Sequence, residues 1–310
     1  MSMPADQHEL VLTGLDGANP LGFLAAVGTL RTLALSCVDN PPRMSWRSIG
    51  GWRPVLHSPF ANGNALATKL DGLLRSRNAA LQIADDPGMP AKIFRHKADE
   101  FRQKDPAAAS LLAALASDAV ITTNSKKQDV CQDTAFRTMS GAGHQHLLAF
   151  ARNICSACTR NHLQRDLFET WRYDDPVQNH TLRWDPLDDV RYALRWRDPS
   201  GDPARTTRGS VYGASRLAIE ALPLFPCMPR DRALCTAGFL EDRRAGVRLR
   251  WPIWAPPLSL DAVRSLLTLP EVLSDRADAD ALRERGAVER YESRRVTVGK
   301  FRSFSPARPV

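Results

Sequence analysis

The sequence predicts a mixed α+β fold built on an N-terminal strand–helix–hairpin core. Three observations carry that expectation. Residues Leu21 to Leu35 are apolar nearly all round, apart from Thr29, Arg31 and Thr32, and such a helix is buried, not amphipathic. In Arg43 to Ser58, Met44, Trp46 and Ser48 alternate with Ser45 and Arg47 ahead of Gly50-Gly51, the pattern of a hairpin with a glycine turn. With His8 to Thr13 read as a strand, the order is strand, helix, hairpin. That is the first half of a ferredoxin-like βαββαβ unit, an arrangement common among RNA-binding domains.

Each element has its own local reason. Gly14 and Gly17 suit a turn with positive φ, and Asp16 and Asn19 can bond nearby backbone. Asn19 is a good N-cap and Pro20 a good first helical residue. Leu66, Leu70, Leu73 and Leu74 have helical spacing within Asn62 to Asn78. Phe94 to Ala116 reads as two helices broken at Asp105-Pro106, and Ala119 to Thr123 as a strand. Asn124 to Asp129 is a polar basic loop, and Thr134 to Met139 reads as a further strand. Leu147 to Phe168 is helical with a break near Thr159. Tyr173 to Gly209 reads as long irregular loops around a β segment at Tyr192 to Trp196. A helix near Ser215 to Leu222 ends at Pro223, and Gly238 to Trp254 forms a hairpin with Ala245-Gly246 near its tip. Ser259 caps a helix running to Leu269. Asp278 to Arg285 is a second helix and Arg294 to Val298 a last strand.

With 310 residues the chain has room for one large or two ordinary domains. Residues 1–230 read as the α+β core with helical insertions. Residues 231–310 read as a C-terminal hairpin, helices and basic terminal strand, compatible with one continuous domain. Hydrophobic content of 43% and charged content of 25% are those of a globular protein. The apolar N-terminal helix is too short and too interrupted to span a membrane. Acidic residues precede it, unlike the basic region of a signal peptide. Six scattered cysteines then point to free thiols in a cytoplasmic setting. The net charge of +8, carried mostly by arginine, favours a polyanionic partner such as nucleic acid.

Four stretches bear on chemistry. "SGAGHQH", Ser140 to His146, offers glycines at a helix start for phosphate approach, and His144 and His146 as an acid–base pair; a Ser-capped helix with a glycine turn is the simpler reading. It lacks a dinucleotide fingerprint or a P-loop. "CSAC", Cys155 to Cys158, has metal-ligand spacing, but it falls mid-helix without a second such pair, so two ordinary cysteines are the simpler reading. Arg183 to Gly209 combines Asp185, Asp188, Asp189, Asp198 and Asp202 with six arginines. Local ion pairs account for it more simply than a divalent-metal nuclease. Within it Arg195, Arg197, Arg205 and Arg208 are candidate phosphate contacts. Lys126, Lys127 and Arg137, with His144 near bound backbone, extend the candidate set. The tail from Arg294 to Val310 carries Arg294, Arg295, Lys300, Arg302 and Arg308 and no acidic residue, interleaved with Phe301 and Phe304. That combination suits single-stranded nucleic acid, although a solvated terminal strand whose phenylalanines pack on the body is the simpler reading; Lys300 and Arg302 join the candidate set. No catalytic residue, metal ligand or cofactor is expected.

Three segments carry a family resemblance: "LTGLDGANPLGFLAAVGTLR" (Leu12 to Arg31), "LRWDPLDDVRYALRW" (Leu182 to Trp196) and "GASRLAIEALPLFP" (Gly213 to Pro226). Together they resemble CRISPR-associated proteins of the type I-G branch, formerly I-U, and more narrowly the short large-subunit-like proteins of its Cascade complex. The likeness spans Leu10 to about Phe304. It implies a non-enzymatic subunit of a crRNA-guided DNA surveillance complex in antiviral defence. Its implied partners are crRNA and target DNA or its PAM, other Cascade subunits and a helicase-nuclease. The family shares no portable active residues, so no PAM-reading position carries over, and 310 residues is small for a large subunit. The competing expectations are a guide-RNA-processing endoribonuclease centred on His144 and a protein-only scaffold. If Arg205 and Arg208 touch phosphates, reversing their charge weakens DNA binding at low salt and leaves the fold intact.

Overall fold

Asn19 starts the central helix as its sequence predicts. Its Oδ1 accepts the N–H of Leu21 at 2.8 Å and of Gly22 at 3.1 Å, and Pro20 opens α1 (Pro20–Ala34). The structure is a computed structural model describing residues 7–76, 78–124, 127–139, 145–187, 209–242, 244–276, 278–298 and 301–310. Thirteen residues of α1 are buried, with Leu24, Val27 and Leu30 fully so.

Strands β1 (His8–Val11), β2 (Arg43–Ser48) and β3 (Trp52–Ser58) form a sheet in the order β1-β3-β2. Strand β3 is antiparallel to both neighbours. The parallel pair β1 and β2, joined through α1 and split by β3, is the first half of a ferredoxin-like unit. The second half does not follow: among the described residues no strand joins the outer edge of β1. Gly50 and Gly51 turn the β2–β3 hairpin at φ +60° and +129°, as expected. Gly14 and Gly17 serve a different purpose from the one expected. Neither has positive φ. A Cβ on Gly14 would lie 2.4 Å from the Asp166 carbonyl oxygen, and one on Gly17 would strike Trp46 and Ile253.

Helices α2 (Gly63–Leu74), α3 (Ala91–Lys104) and α4 (Pro106–Leu115) come next, with Asn62 and Asp105 as side-chain caps of α2 and α4. Strand β4 (Ala116–Thr123) pairs with β5 (Asp129–Asp133). The strand expected at Thr134 to Met139 is therefore displaced to 129–133. Thr134 Oγ1 accepts the Phe136 N–H, and Ala135 donates to Thr236 Oγ1 at 2.8 Å, so the segment turns inward. Helices α5 (Leu147–Ala157) and α6 (Arg160–Phe168) are separated at the Thr159 cap. Among described residues 173–187 there is no helix or strand, and Tyr192 to Trp196 lies outside the described residues. Helix α7 (Tyr212–Ala221) begins three residues before the expected start.

The hairpin β6 (Cys227–Arg230) and β7 (Ala233–Thr236) has no counterpart in the sequence reading. Strands β8 (Phe239–Asp242) and β9 (Gly246–Trp254) form the expected hairpin, followed by α8 (Leu260–Leu267), α9 (Pro270–Leu273) and α10 (Ala279–Glu284). The terminal strand is longer than expected: β10 runs Ala287–Val298, and β11 (Phe301–Phe304) and β12 (Arg308–Pro309) fold back on it. The second sheet has the order β11-β10-β9-β8.

One apolar core extends from Leu12 to Phe304. Phe23 stacks on Trp46 at 5.9 Å and on Trp251 at 5.5 Å, joining α1 to β2 and β9. The buried helix thus meets the first hairpin, as expected, but its tightest backbone approach is to α7. A Cβ on Gly28 would lie 1.9 Å from the Leu217 carbonyl oxygen, so only glycine permits that contact. A second aromatic cluster surrounds Phe136, with Trp184, Phe225, Phe239 and Phe304.

Candidate nucleic-acid interface

Two of the cations singled out in the sequence, Arg137 and Arg302, line one polar cleft of about 490 Å³ between the β4–β5 hairpin, the Thr134–Met139 turn and the β10–β11 hairpin. Arg295, Asp133, Glu241 and Asn124 line it with them. Lys127 stands at the turn of the β4–β5 hairpin, exposed and at φ +57°, with its N–H bonded to the Asn124 carbonyl at 2.9 Å. Lys126, His144, Arg195, Arg197, Arg205, Arg208 and Lys300 lie outside the described residues.

The three lining arginines differ in availability. Arg137 is engaged inside the fold: it pairs with Asp133 and with Asp86 (3.2 Å), and its Nε donates to the Met139 carbonyl at 2.8 Å. Burial holds the Asp133 carboxyl above the ordinary carboxylate range, against the pull of Arg137. Arg295 donates through Nη1 to the Ala135 carbonyl at 2.8 Å, and its buried Nε has no hydrogen-bond partner. Burial, then the neighbouring Arg302 charge, depresses the Arg295 guanidinium. Arg302, partly exposed, forms no ion pair among the described residues. The lining carries three arginines against Asp133 and Glu241, and its uncompensated charge centres on the Arg295–Arg302 pair. Two cations that repel across a water-filled cleft are relieved by an anion between them.

The other sequence motifs fold into structural roles. Asp86 Oδ2 lies 2.7 Å from His146 Nδ1, and its Oδ1 accepts the Leu147 N–H at 3.1 Å. Asp86 thereby caps α5, whose own N-cap residue His146 makes no side-chain cap bond. Cys155 and Cys158 sit at the C-terminal end of α5, not mid-helix. Burial raises the Cys158 thiol pKa well above its ordinary value, the opposite of a reactive thiolate. Among the described residues no group of three His, Cys, Asp or Glu has metal-binding geometry. Asp185 is fully buried and accepts Asn19 Nδ2 (3.1 Å), Tyr173 OH (2.9 Å) and the Leu187 N–H (2.7 Å). It bolts the "LRWDP" segment to the N-cap of α1. Described residues of the other two segments thus touch α1 at different points: Asp185 at its N-cap and Leu217 of α7 at Gly28.

A second basic surface takes only Arg294 and Arg308 from the basic tail that the sequence marks. Arg248 and Arg250 of β9 and Arg290 and Arg294 of β10 share the face of the second sheet opposite Arg295. Glu292, wholly buried, receives Arg248 (2.9 Å), Arg250 (2.5 Å) and Arg308 (3.3 Å). Burial works against its ionisation, yet these guanidinium groups hold its carboxyl below the ordinary range. The available signal was "RLR" at period two within a strand ending in tryptophans.

No family model, curated protein or solved structure matches the chain. Among the described residues, no helix is long and apolar enough to cross a membrane.

Proposed function

We propose that the chain is a non-catalytic nucleic-acid-binding subunit of a crRNA-guided antiviral complex of the type I-G kind, contacting guide RNA or target DNA through sugar–phosphate backbone. The observation that carries the binding role is Arg302 in one polar cleft beside the half-satisfied Arg295, with Lys127 at the turn of the hairpin that walls it. The place in a CRISPR complex rests on the resemblance of the three segments described above. A net charge of +8 agrees with that reading. In such complexes guide–target pairing supplies most sequence specificity, and protein contacts to phosphates supply affinity and register.

The test is binding of a fluorescent single-stranded RNA or DNA to the purified chain, compared with Arg302→Glu. The variant is expected to bind about tenfold more weakly at low salt, the scale of removing one charge-assisted hydrogen bond and putting a repelling charge in its place, with an unchanged melting curve. Equal affinity removes the cleft from the interface. Incubating the same protein with repeat RNA, with and without Mg²⁺, is expected to leave the RNA intact. Discrete cleavage products would replace the binding role with an endoribonuclease.

A further inference from the structure

On the opposite face of β10 the structure holds an arginine cluster whose central pair is closed by one exposed aspartate. Five arginines (Arg248, Arg250, Arg290, Arg294 and Arg308) gather with three carboxylates, Asp242, Asp275 and Glu292. Five cations against three anions leave +2. The segment from α9 to Arg276 lies across this face like a strap. Its carbonyl oxygens at Glu271 (3.0 Å), Val272 (3.2 Å) and Ser274 (2.9 Å) accept Arg290 Nη1, and that of Leu273 accepts Arg250 Nη1 at 2.9 Å. Val272, fully buried, pins the strap to the body. Asp275 closes it. Its Oδ1 takes Arg250 Nη2 at 2.5 Å and Arg248 Nη1 at 3.3 Å.

The exposures are unequal. The side chains of Arg250 and Arg248 are 2% and 10% exposed, that of Asp275 65%. Asp242 is held elsewhere, by the N–H groups of Arg244 and Ala245. Glu292 is buried beneath. Asp275 is thus the one carboxylate on this pair that can swing into solvent without moving the strap. Swinging out frees one N–H on each of Arg248 Nη1 and Arg250 Nη2, which Glu292 still holds from beneath, with exposed Arg294 opposite Arg248 in register.

We propose that Asp275 is a displaceable stand-in for a nucleic-acid phosphate on the Arg248–Arg250 pair, so that a phosphodiester replaces its carboxylate when the chain binds. Asp275 Oδ1 alone bridges the two guanidinium groups, and one phosphate oxygen can bridge them in the same way. This second contact rests on the nucleic-acid-binding reading of the chain, and it lies across the sheet from the cleft.

The experiment measures binding of a single-stranded oligothymidylate and an oligouridylate across a salt series. Wild type is compared with Asp275→Asn, with Asp275→Ala read in parallel; both leave Val272 in place. Asp99→Asn on α3, which removes the same charge from an exposed position, controls for net charge. Asp275→Asn is expected to tighten binding by about fivefold over the control and to steepen the salt slope by about 0.7. Adding Arg248→Gln is expected to cancel the gain. Equal affinities for Asp275→Asn, Asp275→Ala and Asp99→Asn overturn the proposal. If they are equal while wild type still binds salt-sensitively, only the displacement is wrong. If no variant binds either oligonucleotide, the nucleic-acid-binding reading falls with it.

Discussion

Gly28 decides how closely α1 and α7 approach, because its missing Cβ is what leaves room for the Leu217 carbonyl. Gly28→Ala must separate two packed backbones, and overpacking of this kind costs about 1–3 kcal/mol or more. A lowered urea midpoint with an unchanged m-value is the expected result. Leu24→Ala, at a fully buried position of the same helix, is expected to cost about 2–5 kcal/mol by the same measurement. Asp275 gives a pH signature. Hydrogen bonds from Arg250, then Arg248, hold its carboxyl below the ordinary range. A depressed folded pKa contributes stability above the unfolded value, and that contribution disappears as pH falls through the folded one. Asp275→Asn is therefore expected to be less stable than wild type at pH 7, with the two converging in strong acid. A constant gap down to pH 2 would contradict the ion pairing. At this scale the sequence made residue type legible but not engagement. Arg137 and Arg302 look alike on paper, yet Arg137 is held by Asp133 and Asp86 while Arg302 forms no ion pair among the described residues. Part of that difference is local, since Asp133 stands four residues before Arg137, but Asp86 lies about fifty residues away in the chain, where no local pattern reaches.

At the scale of elements, local chemistry fixed what local chemistry can fix. Asn19, Asn62, Asp105, Thr159 and Ser259 all cap helices where their side chains and the following apolar spacing place them. The Gly50-Gly51 and Ala245-Gly246 hairpins were equally legible. Strand assignments failed where the partner decides the outcome. Thr134 to Met139 has strand-like composition, but the Thr236 and Thr134 hydroxyls satisfy the Ala135 and Phe136 N–H groups and turn it inward. The β6–β7 hairpin carries Pro229, which argues against a strand, and it is confined to a two-stranded sheet. Strand β10 extends N-terminal of Arg294 because β9 pairs with it from Ala287 to Arg294. Asn19 joins this scale to the next, since it both caps α1 and donates to buried Asp185. Asn19→Ala is expected to cost at least the about 0.5–2 kcal/mol that removing a cap costs. Asn19→Ser, which keeps the cap, isolates the Asp185 contribution in the same denaturation experiment.

Across the whole molecule, one core joins the N-terminal split βαβ unit to the C-terminal sheet through Phe23 and Trp251, and the Phe136 cluster ties the middle of the chain to Phe304. This body presents basic groups on two faces of β10. The cleft was partly legible, because Lys127 and Arg302 stand out in the sequence as basic residues in a polar loop and an aromatic-interleaved tail; Arg137 was a candidate, but within a stretch read as a strand. The Arg248–Arg250 face was not, since strand pairing with β10 and the strap create it. The central claim is that this body grips polyanions through phosphate contacts. Its most direct test is the affinity of the purified chain for a single-stranded oligonucleotide as a function of salt. The account predicts that log K falls linearly with log salt concentration, by about 0.7 per phosphate neutralised, and that Arg302→Gln flattens the slope by about that amount. An affinity independent of salt, or a slope unmoved by Arg302→Gln, would contradict it.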